Sequence, residues 1–403
     1  MDRRALLRVL TAAPALQVAG RLYAAPSSAP RFLLVFLRGG YDCLNAVVPY
    51  RSADYYAARP TIAIPPPQVG KAESAKGADV DVAIALDADW ALAPALNDSI
   101  WPLYERGDAA FIPFAGTDDI SRSHFETQDS IELGEPLKSS RDSRSGFMAR
   151  LAAELVDARP IAFTDSLPIT FRGRVDIPNV SLKGVGKPVF DERQAGILAS
   201  MYAGHRLEDA VRDGLLLREE VGNVIAEEMA AASRGAITPQ GFELEVRRIA
   251  VLMRDQYGLG FIDVGGWDTH INEGATAGAL ANNLRSLGHG LQALADGLGD
   301  EWKNTVVFVI SEFGRTFKEN GNRGTDHGHG STHWVLGGGI AGGRVAGEQQ
   351  AVTSDALLEH RDLPVLNDYR AVLGGLFARL WGLSRTRLDN VFPQAARTDL
   401  KLV

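Results

Sequence analysis

Thr305-Val306-Val307-Phe308-Val309-Ile310, then Ser311-Glu312-Phe313-Gly314-Arg315-Thr316 and, shortly after, Gly324-Thr325-Asp326-His327-Gly328-His329-Gly330 decide how this chain is read. The first six residues are apolar and mostly β-branched, as in a strand buried on both faces. The residues after them put acidic and imidazole side chains into a glycine-rich loop at that strand's carboxyl end. Open α/β sheets gather their functional groups there. The pattern recurs upstream, where Gly260-Phe261-Ile262-Asp263-Val264 leads into Gly265-Gly266-Trp267-Asp268-Thr269-His270. Two strand-then-Asp/His loops predict a metal centre assembled from several strand ends.

The rest of the sequence sets the frame. Its 403 residues, 45% hydrophobic, are enough for a large core. The formal net charge is -8 and no basic block stands out, which argues against a nucleic-acid partner. Past the N-terminus no apolar run approaches the roughly 18–20 residues that span a bilayer. A single cysteine, Cys43, rules out an intramolecular disulfide and a cysteine-based zinc cluster. Asp2-Arg3-Arg4-Ala5-Leu6-Leu7-Arg8, a moderately apolar stretch from Val9 to Gly20 and small residues at Tyr23-Ala24-Ala25 read as a twin-arginine export signal. Residues 1–25 are therefore expected to be a leader, and the mature protein is expected in the periplasm or outside the cell.

Along residues 30–403 strands and helices alternate, which predicts one α/β domain. Its mostly parallel central sheet would carry helices on both faces, as a three-layer sandwich. Phe32–Leu37 reads as the first strand, Ala109–Phe114 and Pro160–Phe163 as further strands, and residues 333–337 as a late one. Helices are expected from Ser123 to about Leu133, over Gly146–Val156, over 278–298 and over Asp368–Trp381. Residues 60–82, with Pro65-Pro66-Pro67, read as a surface excursion. The block 191–256 is helical in pattern and reads as an insertion covering one face of the sheet.

Several residues at the strand ends can carry chemistry. Asp42 can ligate a metal, cap a helix or hold a turn. Asp268 and His270, two apart in an extended segment, point the same way and can reach one ion. Carboxylate with imidazole suits zinc, manganese or iron better than magnesium. Glu312 can ligate or pair with Arg315. Asp326 and His327 read as ligands, while His329 and His333 read as solvated or supporting groups. Ser123 is either a helix N-cap or a nucleophile, with His124 beside it for proton transfer and Arg122 as an anion clamp. Gly337-Gly338-Gly339-Ile340-Ala341-Gly342 matches a dinucleotide spacing but leads into no helix, so it reads as a loop.

Phe36-Leu37-Arg38-Gly39-Gly40-Tyr41-Asp42-Cys43-Leu44-Asn45, Arg122-Ser123-His124-Phe125, Gly266-Trp267-Asp268-Thr269-His270 and the Ser311–Gly328 segment together resemble an exported bacterial family of unknown function. That family is placed in the alkaline-phosphatase-like, sulfatase-like superfamily. Asp368-Tyr369-Arg370-Ala371-Val372-Leu373 and Val391-Phe392-Pro393 extend the resemblance to the end of the chain. It implies one or two divalent metals, zinc or manganese, and hydrolysis of phosphate or related esters. It also implies Asp42, Asp268, His270, Asp326 and His327 as ligands and Ser123 as nucleophile. Here Ser311-Glu312-Phe313-Gly314 takes the strand-end place that the superfamily gives to Asp-His-Gly, which makes Glu312 a further candidate ligand. The sulfatase nucleophile signature is absent around Ser121–Phe125. The expected substrate is a small-molecule or surface anionic ester. The alternatives are an exported binding or assembly protein that keeps the fold, and a metal-free serine acyl hydrolase.

Overall fold

The computed structural model of the chain describes residues 29–68, 81–136, 144–181 and 242–403, with short pieces between 197 and 212. The expected leader lies outside the described residues, as do residues 69–80 of the surface excursion and most of the block 191–241.

The strands are β1 Arg31–Leu37, β2 Val47–Val48, β3 Ile84–Ala85, β4 Ala91–Leu92, β5 Ala109–Gly116, β6 Pro160–Ala162, β7 Leu259–Val264, β8 Thr305–Ser311, β9 Ser331–Leu336, β10 Arg344–Val345 and β11 Asn367–Asp368. The helices are α1 Ala53–Ala58, α2 Ile100–Glu105, α3 His124–Leu133, α4 Phe147–Glu154, α5 Phe242–Asp255, α6 Ala279–Leu298, α7 Tyr369–Trp381 and α8 Arg385–Val391. The main sheet runs β10-β5-β9-β8-β1-β7-β6, with β11 also on β5. Every pairing in it is parallel except the two made by β9, which lies antiparallel to β5 and β8. Strands β2, β4 and β3 form a small antiparallel sheet.

Central β1 is apolar at six successive positions because both of its faces are covered. Leu33, Val35 and Leu37 enter one core, while Phe32, Leu34 and Phe36 enter the other. Strand β8 divides in the same way, with Val307 and Val309 on one side and Val306, Phe308 and Ile310 on the other. Burying each such Leu or Phe contributes about 1.5–3 kcal/mol. Strand β5 changes sides partway. Phe111 lies in the first core and Ile112 in the second, but beyond the register shift Phe114 is again in the first. Phe114 takes a positive φ of 52° there, so the shift is a bulge that re-aims the strand end.

The first core is covered by α2, α5 and α6, and the second by α3, α4, α7 and α8. Helix α6 shows why. Leu280, Leu284, Leu287, Leu291, Leu294 and Leu298 recur every three or four residues and form one buried stripe. Gly288 on that helix lets Ser99 approach closely, since a Cβ there would lie 2.2 Å from the Ser99 hydroxyl. The helix expected at the end of block 191–256 is present as α5. No helix among the described residues is long and apolar enough to cross a membrane.

Candidate functional site

In a parallel sheet the strands end together, so β1, β5, β7 and β8 deliver their following loops to one edge. Antiparallel β9 begins at the same edge. The segment after β8 then folds back on itself. Gly314 N donates to His329 O, Gly328 N to Gly314 O and Thr316 N to Asp326 O, each at 2.9 Å. That return places His327 beside the strand end, although it follows Glu312 by many residues. Gly39, at φ 124°, lets the β1 loop touch the β7 loop; a Cβ there would lie 2.7 Å from the Asp268 nitrogen.

Side chains from three loops converge on this edge. His270 Nε2 lies 2.9 Å from Asp268 Oδ1 and 3.1 Å from His327 Nε2. His327 Nε2 lies 3.2 Å from the same Asp268 oxygen. His124 completes the group: one ligand atom each from His124, Asp268 and His327 fall within 4.8 Å of one another.

Each imidazole is held through its other nitrogen. His124 Nδ1 is 2.8 Å from Glu312 Oε1, His327 Nδ1 is 3.1 Å from the Arg122 carbonyl, and His270 Nδ1 is 3.4 Å from Asp326 Oδ1. An ionised carboxylate or a carbonyl can only accept, so in each neutral ring the proton sits on Nδ1 and Nε2 presents a lone pair. Three lone-pair atoms, Nε2 of His270, Nε2 of His327 and Oδ1 of Asp268, thus face one another at about 3 Å. His124 Nε2 is buried without a hydrogen-bond partner. Positive charge stabilises such an arrangement: the Arg315 guanidinium supplies part of it, bonding Asp268 Oδ1 at 2.6 Å and lying 3.4 Å from His270 Nε2, and a bound cation would supply more. Ligands about 2.0–2.1 Å from a tetrahedral zinc stand about 3.3 Å apart, close to the spacing seen here. The donor chemistry and the anchored rings therefore fit a divalent ion.

Charge at the site is arranged around buried Arg315. Its guanidinium bonds the carbonyls of Gly39 and Trp267 at 2.8 and 3.0 Å, that of Gly40, and Asp268 Oδ1 at 2.6 Å. It ties the loops after β1, β7 and β8 together. Burial works against the Asp268 carboxylate, but Arg315 outweighs it and holds the group below its usual range. Burial likewise opposes the Glu312 carboxylate, and hydrogen bonds from His124, Gln128 and Gly39 bring it below the ordinary range. The hydrogen bond to Glu312 raises His124, whereas burial lowers His327.

Several expectations change. Asp42 does not join the cluster: fully buried, it forms a two-point ion pair with Arg59, so it is not placed to meet an ion. Glu312 and Asp326 face imidazole Nδ1 atoms, which makes them anchors of His124 and His270. His124, expected as a proton carrier, instead belongs to the converging set. Glu312 pairs with His124, and Arg315 with Asp268. Ser123 is the N-cap of α3, its oxygen accepting from the Glu126 amide at 3.5 Å. The Arg122 guanidinium is occupied by Asp362 and Glu359. His329 is buried near Asp119 and Asp362. His333 lies inside β9 with neither ring nitrogen hydrogen-bonded.

Sequence reasoning missed Gln128 and the tethering role of Arg315. Gln128 stands one helical turn after His124, a spacing that carries the signal in hindsight. A cavity of about 740 Å³ opens at the other end of the sheet, lined by Arg31, Arg254 and Arg387 among others. Those arginines are paired with Glu301, Asp255 and Glu154. No curated protein matches the chain. A family model described as a protein of unknown function (DUF1501) matches residues 29–392, and the chain belongs to that family.

Proposed function

We propose that this protein is an exported, metal-dependent hydrolase of phosphate or related esters, with an alkaline-phosphatase-like fold. The observation that carries the reading is the set of three Nδ1-anchored imidazoles whose Nε2 atoms crowd Asp268. His124, Asp268 and His327, with His270 beside them, would hold zinc or manganese. A bound ion of that kind would draw charge from an ester oxygen and lower the pKa of a coordinated water.

The chain's own residues supply the rest. Glu312 and Asp326 fix ring orientation. Arg315 keeps Asp268 ionised and its loop in place. The amino end of α3, at His124, adds its positive dipole end beside the centre and favours an anionic group there. Ser123, next to His124, is the hydroxyl offered as nucleophile, provided it leaves its capping bond to Glu126. Phe125 and Ile271, each following a cluster histidine, are exposed; an apolar leaving group would meet them.

One observation favours a binding or assembly protein that keeps the fold: Ser123 and Arg122 are both already engaged. The experiment is elemental analysis of the purified protein beside His327→Ala, followed by hydrolysis of aryl phosphate and aryl sulfate esters. About one equivalent of transition metal, lost in the variant, with hydrolysis abolished by chelation, supports the reading. Metal without turnover favours the binding protein. No metal even after reconstitution sinks the metal centre.

A further inference from the structure

The loop carrying Asp268 and His270 and the loop carrying Asp326 and His327 lie side by side. Thr325 N donates to Thr269 O at 3.2 Å, Asn272 N to Asn322 O at 2.9 Å and Glu273 N to Arg323 O at 2.9 Å. Gly324 sits at the tightest point; a Cβ there would lie 2.4 Å from the His270 carbonyl oxygen. Behind this seam, fully buried, is Glu273. Its Oε2 accepts from the Thr325 hydroxyl at 2.8 Å and from the Thr269 hydroxyl at 3.1 Å. Thr269 separates Asp268 from His270, and Thr325 is two residues before His327. One carboxyl oxygen therefore clasps both loops next to the residues they present.

Beyond the clasp lies the buried Asp42–Arg59 ion pair. Glu273 meets Asp42, and burial together with Asp42 pushes the Glu273 carboxyl well above its usual range. Its Oε1 has no hydrogen-bond partner. Asp42 is in turn fixed by Arg59, whose remaining donors reach the carbonyls of Phe317 and Thr316 at 2.8 and 2.9 Å. The Asp42–Arg59 pair is thus anchored to the segment just after Arg315.

We propose that Glu273 is a positioning residue for the candidate metal centre, setting the spacing between the Asp268/His270 loop and the His327 loop through Thr269 and Thr325. The proposal rests on the metal reading above. It explains why a carboxyl with no route to the ion is buried directly behind two ligand loops.

The test is zinc affinity, by competition with a chromophoric chelator, for wild type, Glu273→Gln, Glu273→Leu and a Thr269→Val/Thr325→Val double variant. Urea unfolding of each metal-free protein is measured alongside. Gln keeps the shape of Glu and one oxygen that accepts from the two threonines, so Glu273→Gln should bind zinc within about twofold of wild type. Glu273→Leu and the double variant should bind about 10–100-fold more weakly, the range for lost outer-shell partners. The double variant leaves the Glu273 side chain itself unchanged and so covers the case in which Glu273→Leu fails to fold. A folded double variant with wild-type zinc affinity overturns the proposal alone. A wild-type protein that binds no zinc overturns the metal reading and this proposal with it.

Discussion

His333 offers a quantitative test of the core. It lies on β9 opposite Ile112, its ring centroid 5.3 Å from that of Phe308, and it is fully buried. Neither nitrogen has a hydrogen-bond partner, and burial pushes the imidazole down to about 3 from 6.5. Leucine has nearly the same volume and no polar atoms. Orphaned polar groups cost about 1–3 kcal/mol and a volume-matched swap usually costs under about 1.5 kcal/mol, so His333→Leu should gain about 1 kcal/mol near neutral pH. The acid side amplifies this. The folded pKa lies below the unfolded one, so the unfolded chain takes up the proton first. Stability is therefore intact above the unfolded value of 6.5 and falls as pH drops toward about 3. Each pH unit in that window costs about 1.4 kcal/mol, or about 2.7 kcal/mol by about pH 4.5. Urea unfolding of wild type and variant across this range should show the gap widening from about 1 to about 4 kcal/mol. A gap that stays flat with pH would mean His333 is protonated or hydrogen-bonded in the native state, and would refute the reasoning.

Two further outcomes concern the site and its support. Glu312→Leu removes the acceptor that anchors His124 Nδ1, so zinc affinity should drop about 10–100-fold; unchanged affinity in a chelator titration would show that this anchor does not support zinc binding. Arg59→Leu strands a buried Asp42 charge and should cost about 3–5 kcal/mol in urea unfolding. Adding Asp42→Asn should recover most of that loss, and a double variant no more stable than Arg59→Leu would contradict the pairing.

Much of the fold was legible because its signals are local. A six-residue apolar run between polar loops can be covered on both sides only in a central strand, and β1 and β8 obey that. The leucine stripe of α6 reads as a helix for the same short-range reason. The strand ends therefore announced Asp268, His270 and His327, since alternation alone places them at the edge of a parallel sheet. The antiparallel course of β9 and the bulge in β5 had no local signature; they depend on which strands meet.

Roles within the site were not local. Asp42 has a ligand's position in the chain, yet Arg59 reaches it first, and the buried two-point ion pair occupies both of its oxygens away from the histidine cluster. Whether His124 ligates or carries protons is decided by Glu312, 188 residues away in sequence. Glu273 lies in a stretch without a motif and matters only because folding brings Thr269 and Thr325 to one of its oxygens. By itself the sequence determined the alternation of strands and helices and the set of acid and imidazole groups at the strand ends, because hydrophobic periodicity acts over a few residues. Tertiary structure alone decided which of those groups face one another and which hold them in place, because hydrogen-bond partners come from segments that only the folded sheet makes neighbours.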